Sequence, residues 1–240
     1  MFVKFVVVLL LLIALVSLLR GAPSATRTAT QRPPARALMT RIAGVLLVLG
    51  LAMLALHLSG CTVKPAPFHA TEVRDADFGR LNALETLVDH RGSRLASVDF
   101  SGKVVVVFFG YAACPDICPT TLATLKEVMQ RLGADADRIQ VFFVTLDPER
   151  DTPEVIAPYV TWFDARFRGL RGDPAATRAV AKAFRVTFSK VEGTSAAGYS
   201  LDHSATSYAY DPQGRLRLLI RHGETAEHIA ADLSKLLAGR

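Results

Sequence analysis

A mixed α/β sheet with flanking helices, preceded by an N-terminal membrane segment, is the architecture this sequence predicts. Three observations carry it. Lys103–Gly110 (KVVVVFFG) and Ile139–Leu146 are continuous apolar, β-branched and aromatic runs, the pattern of strands buried on both faces. Between them Leu122, Leu125, Val128, Met129 and Leu132 recur at helical spacing. Ahead of both lie two long apolar runs within residues 1–60, a stretch without a single Asp or Glu.

The N-terminal region reads as a membrane address. Met1–Leu19 is apolar except for Lys4 and Ser17, and Ile42–Leu58 is broken only by glycines and His57. Each approaches the ~20 residues needed to cross a bilayer core. The Arg-rich loop between them, Gly21–Arg41, belongs on the cytoplasmic side by the positive-inside rule, which places everything after residue 60 outside the cytoplasm. A second reading fits the same residues. Leu58-Ser59-Gly60-Cys61 after an apolar run resembles a bacterial lipoprotein signal, with Cys61 as the lipidated mature N-terminus. Both readings export the rest of the chain, to the periplasmic face of a bacterial inner membrane. The expected organisation is therefore an anchor or signal region over 1–60, a tether over 61–74 containing Pro65 and Pro67, and one folded domain over 75–240.

Charge narrows the function. The net charge is +6, but residues 1–60 hold six basic residues and no acidic ones. The remainder carries 22 of each sign, so the folded part lacks the overall basic bias expected of a nucleic-acid-binding protein.

Within the folded part, Leu84–Val88 and Arg94–Val98 read as strands around the turn Asp89–Gly92. The strand ending at Gly110 is followed by a helix over Thr120–Leu132, stopped by Gly133. After the strand at 139–146, Asp151-Thr152-Pro153-Glu154 signals a helix start with a capping side chain, and that helix runs to about Phe163. Asp173-Pro174 begins another, ending near Phe184. His203–Tyr210, the turn Asp211–Gly214 and Arg215–Arg221 read as a hairpin, and Glu224–Leu237 as the closing helix. The order implies a mixed sheet with helices on its faces, entered by a parallel strand–helix–strand unit. It resembles the thioredoxin-like fold, in which reactive cysteines sit between the first core strand and the next helix. Cys114 and Cys118 occupy that place.

The chemistry concentrates in Gly110–Pro119 (GYAACPDICP). Amides at a helix N-terminus favour a thiolate, which is both nucleophile and metal ligand. On a regular helix, residues four apart hold their Cβ atoms roughly 5–6 Å apart. A disulfide wants about 3.5–4.5 Å, so closure needs a departure from helix of the kind Pro115 and Pro119 favour. Redox work and metal work are both open to such a pair. A purely structural disulfide would close a very short loop, where stabilisation is least.

Three segments in order, VVVVFFGYAACPDICPTTL at 104–122, VTLDPERDTPE at 144–154 and Asp202-His203-Ser204, resemble the Sco/SenC family. The resemblance covers roughly residues 70–240. It implies Cys114 and Cys118 as copper ligands and redox-active thiols and His203 as the third ligand. It also implies copper as the bound ion, Cu(I) and also Cu(II), and the copper-site subunit of cytochrome c oxidase as partner, with other copper chaperones or thiol reductases alongside. Two functions follow: a metallochaperone for the dinuclear copper site, or a thiol-disulfide oxidoreductase that keeps that site's cysteines reduced. The chemistry agrees with copper, because two thiolates and an imidazole are a soft set suited to Cu(I). A structural zinc site would want four ligands. The remaining candidates, Cys61, His90, His222 and His228, form no ligand pattern. Asp147–Asp151 read first as a helix entry, with contact to a partner near the copper site as an added hypothesis. A peroxide-reducing enzyme would need a general base or Arg beside the cysteines, and a membrane-tethered interaction domain would leave the thiols unexplained.

Overall fold

In a computed structural model of the chain, residues 44–47, 49–50, 67–193 and 198–240 are described. Two compact units divide the chain, Met1–Ala66 and Pro67–Arg240. In the first, the described residues 44–47 and 49–50 are helical. The first expected apolar span, most of the second, Cys61 and residues 62–66 of the tether lie outside the described residues. Among the described residues no helix is long and apolar enough to cross a membrane.

The second unit is built on a seven-stranded mixed sheet. Its strands are β1 (Thr71–Glu72), β2 (Val88–Asp89), β3 (Val104–Gly110), β4 (Ile139–Thr145), β5 (Arg168–Arg171), β8 (Ser207–Tyr210) and β9 (Leu216–Ile220), in the order β1-β9-β8-β3-β4-β5-β2. β3 pairs in parallel with β4, and β4 with β5. The flanking pairs β3–β8, β8–β9, β1–β9 and β2–β5 are antiparallel. All seven residues of β3 and all seven of β4 are buried, as continuous apolar runs require. A second, two-stranded sheet pairs β6 (Phe188–Glu192) with β7 (Tyr199–His203).

Four helices flank the sheet: α1 (Ile117–Leu132), α2 (Pro153–Phe163), α3 (Pro174–Ala183) and α4 (Ala226–Leu237). The helix α1 buries Cys118, Leu122, Leu125, Val128 and Met129 and ends at Gly133, whose φ of 57° suits a residue without Cβ. It packs against α4 and α2, and α2 also packs on β5. Asp173 caps α3 by accepting from the Ala176 N–H at 2.7 Å.

Several expectations are corrected. The strand predicted over Leu84–Val88 is a 3₁₀ helix, Leu81–Thr86, followed by the two-residue β2. Leu81, Leu84 and Leu87 are the buried residues, and their spacing of three matches a 3₁₀ turn rather than an alternating strand. Arg94–Val98 contributes a single bridge, Val88 to Arg94. The helix predicted from Thr120 starts at Ile117, because Pro119 falls in the first turn, where no N–H is needed. The segment His203–Tyr210 is two strands, β7 ending at His203 and β8 beginning at Ser207. β5 and β6 carry weak signals. β5 is four residues with Arg at both ends, and β6 is largely exposed.

Candidate metal centre

The turn after β3 delivers the thiols. Gly110 closes β3, and a Cβ there would lie 2.7 Å from the Cys118 Sγ, so the missing side chain makes room for the buried thiol. Cys114 is half-buried in the loop and Cys118 fully buried in the first turn of α1, both as free thiols. His203 arrives from the other sheet, with Nε2 3.5 Å from the Cys118 Sγ. Its Nδ1 lies 3.0 Å from the Ser204 carbonyl oxygen. A carbonyl only accepts, so Nδ1 donates to it, and Nε2 is the nitrogen that faces the sulfurs. The edges of the His203 ring meet Tyr111 and Phe108, with centroids 6.0 and 6.4 Å away.

One ligand atom from each of Cys114, Cys118 and His203 lies within 4.8 Å of the others. Metal–sulfur and metal–nitrogen bonds of about 2.3 and 2.0 Å bring ligands on one ion to roughly 3.5–4 Å from each other. Only a small inward movement separates the trio from that spacing. Among the described residues it is the one such group of His, Cys, Asp and Glu. A cleft of about 670 Å³ opens on it, lined by Cys114, Asp116, Leu201 and His203 among others.

The two thiols are unequal. Cys114 is held well below the usual thiol range, first by its hydrogen bond with Cys118, then, against the cost of burial, by His203 and the backbone N–H groups of Asp116 and Cys118. The same bond, with burial, pushes Cys118 up. The pair thus keeps one proton, on Cys118, and presents Cys114 as thiolate.

The SCO1/SenC family model matches residues 80–238. The chain belongs to the SCO1/SenC family. Its core is the family's thioredoxin-like fold, with the cysteine loop between β3 and α1. A structure of Bradyrhizobium japonicum ScoI with copper bound is 38% identical with a TM-score of 0.60, covering 68% of this chain and all of that one. Apo Sco1 from Thermus thermophilus is 35% identical with a TM-score of 0.60, covering 72% of this chain and 99% of that one. Among curated relatives, the mitochondrial SCO2 homolog of Bos taurus is 35% identical over 155 residues, which are 64% of this chain and 58% of the relative's length.

In this SCO1/SenC chain the residues singled out from sequence divide cleanly. Cys114, Cys118 and His203 come together. The other histidines singled out from sequence have separate occupations. His90 Nδ1 accepts from the Gly169 N–H at 3.0 Å, His222 Nδ1 meets the Thr121 hydroxyl at 3.1 Å, and His228 pairs with Glu224 at 2.8 Å. Asp116 is exposed, with the Thr120 hydroxyl donating to it at 3.4 Å. Cys61 lies outside the described residues.

The Asp147–Asp151 segment does more than enter a helix. Thr152, whose side chain makes no capping bond, occupies the N-cap of α2. Asp151 instead accepts from the Ala112 N–H at 3.0 Å and the Thr145 hydroxyl at 2.6 Å, which ties the cysteine loop to the end of β4. Burial, acting first, raises the Asp151 pKa against these two bonds. Arg150 and Tyr199 escaped the sequence reading. Arg150 stood inside the DPERD motif, so a signal existed for it; Tyr199 offered none.

Proposed function

We propose that this chain is an extracytoplasmic copper-binding protein of cytochrome c oxidase assembly, holding Cu(I) through Cys114, Cys118 and His203 and passing it to the oxidase subunit that carries the dinuclear copper site. The convergence of two sulfurs and one Nε2 within 4.8 Å carries this reading. Copper in the related ScoI structure supports it. Two thiolates and an imidazole select a soft monovalent ion, and a three-ligand site at a cleft leaves room for an incoming ligand during hand-over. The bacterial inner membrane, reached through residues 1–60 with or without a lipid on Cys61, is the proposed location. Residues 61–74 would then span from the anchor to a copper domain over 75–240. Mass spectrometry of the mature N-terminus distinguishes the two anchors.

A second reading rests on the unequal thiols. A Cys114 thiolate beside a Cys118 thiol can attack a partner's disulfide, after which Cys118 displaces the partner's sulfur. The partner gains two electrons from the pair, one proton from Cys118 and one from water, leaving as two thiols, and Cys114 and Cys118 are left as a disulfide. This activity needs no imidazole, so His203→Ala separates the readings. For the copper reading, the full chain with reduced thiols binds one Cu(I) in competition with a chromophoric chelator. Cys114→Ser, Cys118→Ser and His203→Ala each weaken it at least ten-fold. Wild-type affinity in His203→Ala would overturn the three-ligand reading, and a His203→Ala protein that loses copper yet leaves oxidase assembly intact in cells would favour the reductase.

A further inference from the structure

His203 stands on a strand outside the main sheet, so something beyond that sheet must set its distance from the thiols. β7 alternates, with Tyr199, Leu201 and His203 on one side and Ser200 and Asp202 on the other. Leu201 is buried. Tyr199, at the start of β7, is gripped by the segment after β4. Its hydroxyl donates to Asp147 Oδ1 at 2.9 Å, and its carbonyl accepts from Arg150 Nη1 at 2.9 Å. The Arg150 guanidinium lies 3.6 Å from the centre of the Tyr199 ring. It is itself held by an ion pair between Nε and Asp147 Oδ2.

The same guanidinium lies 5.7 Å from the centre of the Tyr111 ring, and Tyr111 abuts His203. One side chain therefore touches both the strand that carries the imidazole and the aromatic ring against it. On the outer flank, Lys190 of β6 pairs with Glu149 at 2.7 Å, a second link from the same segment to the hairpin. Arg150 Nη2 is buried without an acceptor, a cost that an apolar side chain filling this space would avoid.

We propose that Arg150, fixed by Asp147, is a positioning residue for the metal centre: by clamping Tyr199 and Tyr111 it sets His203 Nε2 against Cys114 and Cys118. The clamp rests on the copper reading for its consequence, but its geometry can be tested without copper. Groups that orient a ligand from behind it typically contribute ten- to hundred-fold in metal affinity.

The test uses the full chain as wild type, Arg150→Ala, Arg150→Lys, His203→Ala and Arg150→Ala/His203→Ala. In the metal-free protein, the side-chain ¹⁵N shifts of His203 and its contact with Tyr111 are followed by NMR. In the loaded protein, Cu(I) affinity and the sulfur-to-Cu(II) charge-transfer spectrum are measured. Arg150→Ala is expected to shift the His203 resonances, weaken Cu(I) ten- to hundred-fold and alter the Cu(II) spectrum. Arg150→Lys keeps the charge but loses the flat face, so it follows in the same direction with a smaller change. In the His203→Ala background, Arg150→Ala should change affinity no further. An equal loss in both backgrounds would mean a general packing role and would overturn the proposal, as would unchanged His203 resonances in folded Arg150→Ala and Arg150→Lys. Failure of the wild type to bind Cu(I) would refute the copper reading alone, with the metal-free spectra still deciding the clamp.

Discussion

Gly110 and Cys118 share one volume. A methyl group on residue 110 would sit 2.7 Å from the Cys118 Sγ and 3.0 Å from Phe143 Cε2. Gly110→Ala should therefore cost about 1–3 kcal/mol of stability, the usual range for overpacking a filled core. It should also push the thiol out of line and weaken Cu(I). Urea unfolding and copper competition check the two effects; an alanine variant as stable as wild type with full copper affinity would show that the thiol has room. At this scale the cysteine pair was legible from spacing and position alone, because a strand end followed by a helix start fixes where such residues sit. His203 was legible only through the family resemblance, since its partner Cys118 lies 85 positions away. Tyr199 stayed hidden for the same reason, and the DPERD motif marked Arg150 without naming its partner. Their contact spans 49 positions and joins two segments whose local patterns say nothing of each other.

The folded unit begins where its closing helix allows. Asp232 on α4 is fully buried and accepts from the His69 and Ala70 N–H groups, each at 2.8 Å, while Lys235 pairs with it at 3.0 Å. Those bonds seat the segment leading into β1. Removing the carboxylate leaves two donors without their acceptor and a largely buried ammonium with only the Pro67 carbonyl, 2.9 Å away. Asp232→Ala should lower stability by about 3 kcal/mol. Asp173→Ala, at an ordinary helix cap, should cost about 1 kcal/mol. Equal losses in denaturant titrations would refute this ranking. Among elements, β3, β4 and the helices were readable because each buries a long, regular set of apolar residues. β5, β6 and β7 were not. They are short, carry charged residues, and owe their form to neighbours: β5 to β4 and β2, and β6 and β7 to each other.

Across the whole molecule, stability should depend on pH through His90. Burial, acting first, lowers its pKa, helped by the charges of Arg91 and Arg168 and opposed by Asp89. Its Nδ1 accepts from the Gly169 N–H, so the neutral ring is the folded form. A base with a depressed folded pKa adds stability above its unfolded value, about 6.5, and loses it as pH falls from there toward the folded value. Asp89 acts lower. Burial opposes its ionisation first, but the N–H groups of Ser93 and Arg91 and the Arg168 guanidinium hold its pKa down. Its contribution fades only below the usual carboxylate range, near 3.9. Unfolding free energy should therefore decline between pH 7 and 5 in the wild type and less in His90→Asn, whose side-chain oxygen can still accept from Gly169; parallel profiles would exclude the role. The division of the unit into two sheets has an evolutionary consequence. The thiols belong to the seven-stranded sheet and its first helix, and the imidazole to a hairpin with its own ladder. Substitutions confined to that hairpin, at His203 above all, can discard the imidazole and leave the dithiol in place on the main sheet and its first helix.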